Sequence, residues 1–127
     1  MYPTDYIYSK EHEWVAVEDD TCTIGITDFA QDELGEIVFV ELPEVGDSFE
    51  AHEEIGTVES VKAVAEIYTP VGGEIVAVNE ALMDEPELVN ADPHSGGWMF
   101  RIRTTDSSEL DDLMDAEAYT EFIDSGD

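Results

Sequence analysis

Gly56-Thr57-Val58-Glu59-Ser60-Val61-Lys62-Ala63-Val64-Ala65-Glu66-Ile67 is the stretch on which the reading of this chain turns. Strand-like sequence runs on both sides of Ser60-Val61-Lys62, which puts the lysine at or beside a hairpin bend. An amine there is exposed, within reach of a modifying enzyme and held by a rigid sheet. Its neighbours Val61 and Ala63 are small enough to leave access. By position alone, however, an ordinary solvated turn lysine is the stronger reading.

Outward from the hairpin, more short strands appear. Glu13-Trp14-Val15-Ala16-Val17 and Thr21-Cys22-Thr23-Ile24-Gly25-Ile26 alternate with the period of half-buried strands, with Asp19-Asp20 turning between them. Thr27 can cap a helix over the following residues, Asp28 suits its positive end, and Gly35 can take the left-handed conformation that stops it. Ile37 to Leu42 returns to strand and is ended by Pro43, and Gly46-Asp47 turns into another short strand. Further strands are expected at Ile55–Glu59, Lys62–Tyr68, Glu74–Val78 and Trp98–Arg103, with a short helix around Glu87-Leu88-Val89. Leu110, Leu113, Met114, Phe122 and Ile123 recur at helical spacing and predict a C-terminal helical segment over about 107–124, capped at Ser107 or Ser108 and later at Asp115. Turn signals every 8–12 residues favour a closed or sandwiched, mostly β core in a single domain spanning 1–127.

Charge narrows the function classes. Thirty-three acidic residues face four basic ones, for a formal net charge of −29. The acids are spread between apolar residues, which make up 43% of the chain, so a folded domain is expected and not a disordered acidic tail. Such a domain repels itself, and at about 1 M salt the screening length of about 3 Å removes most of that repulsion. The expectation is therefore a salt-rich cytoplasm of the halophilic kind. Nucleic-acid binding is excluded, because phosphate backbones demand a basic surface. No apolar run long enough for a membrane span and no signal-peptide pattern is read.

No catalytic set is found. His12, His52 and His94 have no metal-ligand spacing with one another or with Cys22, the lone cysteine, and are read as surface or hydrogen-bonded residues. Cys22 sits in a strand and is read as a buried, inert thiol. Trp14, Phe39 and Trp98 are read as core. Lys10 and Lys62 are the chain's two lysines.

The surroundings of Lys62 reverse its default reading. Glu59-Ser60-Val61-Lys62-Ala63 closely resembles the lipoylation site of the glycine cleavage system H proteins. His12-Glu13-Trp14, Ile24-Gly25-Ile26-Thr27-Asp28, Ala30-Gln31-Asp32, Leu34 to Pro43, Tyr68 to Ile75, Val78-Asn79 and Gly97-Trp98-Met99 resemble that family too. Nearly the whole chain is covered, in the family's order. The resemblance implies a flattened β-sandwich (a barrel-sandwich hybrid) with short peripheral and C-terminal helices. It implies a non-catalytic cytoplasmic carrier with lipoate joined to Lys62 through an amide by a lipoate ligase or lipoyltransferase. Such a carrier takes an aminomethyl group from glycine decarboxylase to aminomethyltransferase, and electrons to dihydrolipoamide dehydrogenase.

By the same resemblance, Glu59, Ser60, Val61 and Ala63 form the turn that the lipoylating enzyme recognises, through turn geometry. Glu13 and Glu66 become candidates to hold the loaded, cationic arm in a surface cleft by charge-assisted hydrogen bonds. Family members often carry a histidine where Glu33 stands, which puts one cleft contact in doubt. Partner docking is expected through local patches, including Arg101 or Arg103. A biotin carrier would flank the lysine with methionines, and an acyltransferase lipoyl domain would bring Pro/Ala-rich linkers. An H-like relay donating lipoyl to other proteins is the nearest rival, and a non-carrier binding module on the same fold is the rival from another class.

Overall fold

In the computed structural model, which describes residues 2–104 and 107–124, the chain forms nine strands and four short α-helices. The strands are β1 (Ile7–Tyr8), β2 (Glu13–Glu18), β3 (Thr21–Ile26), β4 (Ile37–Glu41), β5 (Ser48–Phe49), β6 (Glu54–Ser60), β7 (Val64–Tyr68), β8 (Gly73–Val78) and β9 (Phe100–Thr104). The helices are α1 (Asp28–Leu34), α2 (Ala81–Asp84), α3 (Leu88–Ala91) and α4 (Ala116–Asp124), and a 3-10 helix covers Ser107–Asp112.

Two antiparallel sheets result. One has six strands in the order β1-β2-β3-β9-β8-β5, the other three in the order β4-β6-β7. Val15, Cys22, Ile24, Ile75 and Ile102 of the first sheet share one buried cluster with Ile37, Val40, Val58 and Ile67 of the second. The architecture is the flattened, mostly β sandwich expected, since each sheet must bury one apolar face against the other.

Local sequence explains the elements that frame the hairpin. The Thr27 hydroxyl accepts the Ala30 N–H at 3.2 Å and starts α1, and Gly35, at φ 85°, ends it. Asn90 then ties the helix end to the sheet. Its side-chain oxygen accepts the Ile37 N–H at 2.9 Å, and its amide nitrogen donates to Gly35 O at 2.9 Å and Gln31 Oε1 at 2.8 Å. At the C-terminus, Asp115 caps α4 through the Ala118 N–H at 2.8 Å, whereas the Ser107 side chain lies outside the described residues.

The structure departs from the sequence expectation at several places: α2 was not foreseen, the strands expected from Lys62 and Trp98 start at Val64 and Phe100, and three further differences bear on the core. Strand β1 was not anticipated; with only Ile7 and Tyr8 it is too short to show periodicity. A second aromatic cluster forms there, around Tyr8, Trp14 and Tyr119, with Tyr8 and Tyr119 stacked at 4.9 Å. Phe39, expected in the core, is 49% exposed. A register shift between Ile37 and Phe39 inserts one extra residue, so Ile37 and Val40 point inward while Val38 and Phe39 both face out. Trp98 is only half-buried: it packs at the edge of the aromatic cluster, with the Arg101 guanidinium 4.3 Å from its ring centroid.

Candidate functional site

Strands β6 and β7 pair out to Glu59 and Val64, leaving Ser60-Val61-Lys62-Ala63 as the turn. Neither Val61 nor Lys62 has a positive φ, so the turn lacks the left-handed residues that most tight hairpins use. Ser60 compensates. Its hydroxyl accepts the N–H groups of Lys62 (3.3 Å) and Ala63 (3.0 Å) and donates to Ala63 O at 3.2 Å. The Ser60 N–H bonds the same carbonyl at 2.8 Å, and Ser60 is buried although it lies at a hairpin tip. The Val61 N–H donates to Glu36 O at 3.0 Å, which bolts the turn to the α1–β4 connection that Asn90 already holds. Val61, Lys62 and Ala63 are exposed.

The Lys62 stem lies over the end of α1. A Cβ placed on Gly35 would sit 3.4 Å from Lys62 Cε, so the glycine leaves a bare floor for the side chain. Next to that floor opens a cavity of about 520 Å³ between α1, the edge strand β7 and α4. Ile26, Phe29, Leu34, Ile67 and Ile123 give it apolar walls; Glu11, His12, Glu33 and Glu66 add its polar groups. Burial holds the His12 imidazole below its ordinary range, against the opposite pull of Glu11 and Glu33. The ring therefore tends to be neutral at physiological pH and does not compete with a cation for the carboxylates. Its Nδ1 lies 2.7 Å from the Tyr119 hydroxyl, which in turn lies 2.7 Å from Thr27 Oγ1. The cavity wall is thus tied to both α1 and α4.

Of the two carboxylates proposed for this cleft, Glu66 lines it and Glu13 does not. Glu13 is buried: Ser9 Oγ donates to Oε1 at 2.7 Å and the Tyr68 N–H to Oε2 at 3.4 Å. Burial pushes its carboxyl up to about 7, outweighing the Ser9 hydrogen bond. Glu59 is exposed on the outer face of β6. Arg101 and Arg103 lie on the other sheet, in β9: Arg101 donates to Thr23 Oγ1 and covers Trp98, and Arg103 is 3.6 Å from Glu74. Cys22 is fully buried, and burial raises its thiol to about 11. His94 accepts the Asp28 N–H at 3.0 Å. Sequence reasoning did not find Glu11, Phe29 or Ile123 as cavity residues. Ile123 carried a helical-spacing signal; Glu11 carried none.

An arm hung on Lys62 would start near a largely apolar cavity whose lining includes the carboxylates Glu11, Glu33 and Glu66. That fits an aliphatic chain ending in a dithiolane, and it fits a cationic amine at the chain's end. A family model described as Glycine cleavage H-protein matches residues 6–126. The glycine cleavage system H protein of Staphylococcus carnosus (strain TM300) is 56% identical over 121 residues, covering 95% of this chain and 96% of that protein. The one from Alcanivorax borkumensis is 55% identical over 123 residues, covering 97% and 96%. The crystal structure of a glycine cleavage system H protein from Mycobacterium marinum superposes with a TM-score of 0.90 at 36% identity, covering 97% of this chain and 99% of that one.

Proposed function

The chain belongs to the glycine cleavage H-protein family, and from that premise we propose that Lys62 is its lipoyl attachment point. The protein is a non-catalytic, lipoyl-bearing shuttle of the glycine cleavage system. It carries the aminomethyl group from glycine decarboxylase to aminomethyltransferase, and electrons to dihydrolipoamide dehydrogenase. Lipoate, when attached, supplies the thiol–disulfide and thioether chemistry.

The residues of this chain present the arm and do not react. The observation that carries the assignment is the exposed Lys62 side chain at a turn pinned by the Ser60 hydroxyl, with its stem over Gly35, the residue after the cavity-lining Leu34. In the attachment step the Nζ amine attacks the acyl carbon of an activated lipoyl donor. The amide bond forms, the donor's leaving group departs with its electron pair, and the nitrogen loses two protons to solvent, one before the attack and one after it, keeping the third as the amide N–H. Glu59, Ser60, Val61 and Ala63 shape the turn that the lipoate ligase or lipoyltransferase reads. Glu66 faces the loaded, cationic arm in the cleft, with Glu11 and Glu33 beside it. Glu13 acts on the cleft from behind, by fixing the Tyr68 end of β7. Tethering raises the arm's effective concentration at each docked partner, which is all that a shuttle requires of its scaffold.

We read the chain as one carrier domain, because both sheets close over a shared core. Among the described residues no helix is long and apolar enough to cross a membrane, and a cytoplasmic location is the reading that accords with the family. Intact mass tests the assignment. After incubation with a lipoate ligase, lipoate and ATP, the chain is expected to gain one lipoyl group, and Lys62→Arg to gain none. An equal gain in Lys62→Arg would refute it.

A further inference from the structure

The bulge in β4 has placed two apolar side chains in water next to the modified turn. Val38 is 43% and Phe39 49% exposed, and across the tip Val61 and Val64 are 66% and 63% exposed. The register aligns Phe39 with Glu59 and Glu59 with Val64, so these three side chains form one row on the outer face of the three-stranded sheet. The next row on that face is Glu41, Thr57 and Glu66. A small apolar surface with a central carboxylate, bordered by acids, therefore lies beside the lysine. A regular strand would have buried Phe39, so the irregularity gives up burial to create this surface.

We propose that Val38, Phe39, Val61 and Val64 form the apolar seat on which the enzyme that acylates Lys62 docks. This rests on the reading of Lys62 as the attachment point. The occupant follows from reach. A bare lysine has only a four-carbon stem, so the enzyme's reacting groups must come to within a few bond lengths of the turn, and its surface must then cover the residues beside it. Enzymes that act on the far end of a loaded arm need not bring their reacting groups so close to the turn. The charge pattern sets the partner's chemistry: an apolar centre with a cation opposite Glu59 and a basic rim opposite Glu41. This matches the apolar-core, polar-rim plan of specific interfaces.

The test uses the full chain and a purified bacterial lipoate ligase with lipoate and ATP, following intact mass with time. Phe39→Ser and Val64→Ser are expected to lose about tenfold or more in kcat/KM through a raised KM, with kcat little changed. Val45→Ser and Met83→Ser, which replace side chains 62% and 54% exposed elsewhere on the surface, are expected to match the wild type. A second readout is direct binding. Adding Phe39→Ser to the non-acylatable Lys62→Arg chain should weaken its binding to the ligase by a similar factor. Val64→Thr, nearly isosteric, carries the test if a serine variant fails to fold. Wild-type rates and binding in the Phe39 and Val64 variants would overturn the seat, as would an equal loss in Val45→Ser. A wild-type chain that gains no lipoyl group overturns the underlying reading of Lys62 instead, so the two failures are distinguishable.

Discussion

Replacing the buried carboxyl of Glu13 by an amide should make this protein gain stability relative to the wild type as pH rises. The folded state holds the Glu13 carboxyl up to about 7 against an ordinary 4.5, chiefly because burial disfavours the charged form. Between those two values the folded chain keeps a proton that the unfolded chain has released. Stability therefore falls as pH rises through this window, and the whole penalty is present above about 7. Two-state titration with these values gives a cost below about 1 kcal/mol at pH 5 and about 3 kcal/mol at pH 8. Glu13→Gln stays neutral and keeps an oxygen for the Ser9 hydroxyl, which lies 2.7 Å away, while its NH2 loses the Tyr68 N–H that Oε2 accepts, a cost that is the same at every pH. Its advantage over the wild type should accordingly grow by about 2 kcal/mol between the two pH values, or roughly 5–10 °C in Tm. Comparing variant with wild type cancels the general repulsion of the other carboxylates, which also grows with pH. Urea or thermal denaturation at pH 5 and pH 8, at one fixed salt concentration, measures the difference. An advantage of the same size at both values, or a variant that loses ground at pH 8, would refute the reasoning.

Three further outcomes are expected. Ser60→Ala leaves the Lys62 and Ala63 N–H groups without their shared acceptor, so it should cost about 1–2 kcal/mol and slow acylation by the ligase; an unchanged melt and rate would count against the pinned turn. Tyr119→Phe removes the hydroxyl between Thr27 and His12 and should destabilise the fold by about 1–2 kcal/mol in urea titration. With a net charge of −29, the protein should melt at a higher temperature in about 2 M KCl than in about 0.05 M, and equal melting points would sink the salt-dependence argument.

Much of the fold was legible because the strands with clear alternation, such as Glu13–Glu18 and Thr21–Ile26, depend on local pattern alone. Thr27 and Gly35 announced both ends of α1 for the same reason. Phe39 was misread because a bulge shifts the period by one residue and leaves no local mark in an apolar run such as Ile37-Val38-Phe39-Val40. At the site, the turn around Lys62 was readable from its flanking strands. The cavity was not, since Glu11, Phe29 and Ile123 meet only when the β1–β2 turn, α1 and α4 pack together. Glu13 and Glu66 looked alike in sequence, each a carboxylate beside a motif; only burial separates them.

The position of Cys22 bears on how a protein that carries a reactive disulfide avoids trapping itself. Exchange needs a thiolate, and this chain's single sulfhydryl is walled into the core and pushed up to about 11, leaving almost no anion at neutral pH. A dithiolane carried by this chain therefore finds no competing thiolate on its own scaffold. Its redox cycle has no internal short circuit, and every turnover must pass through a partner.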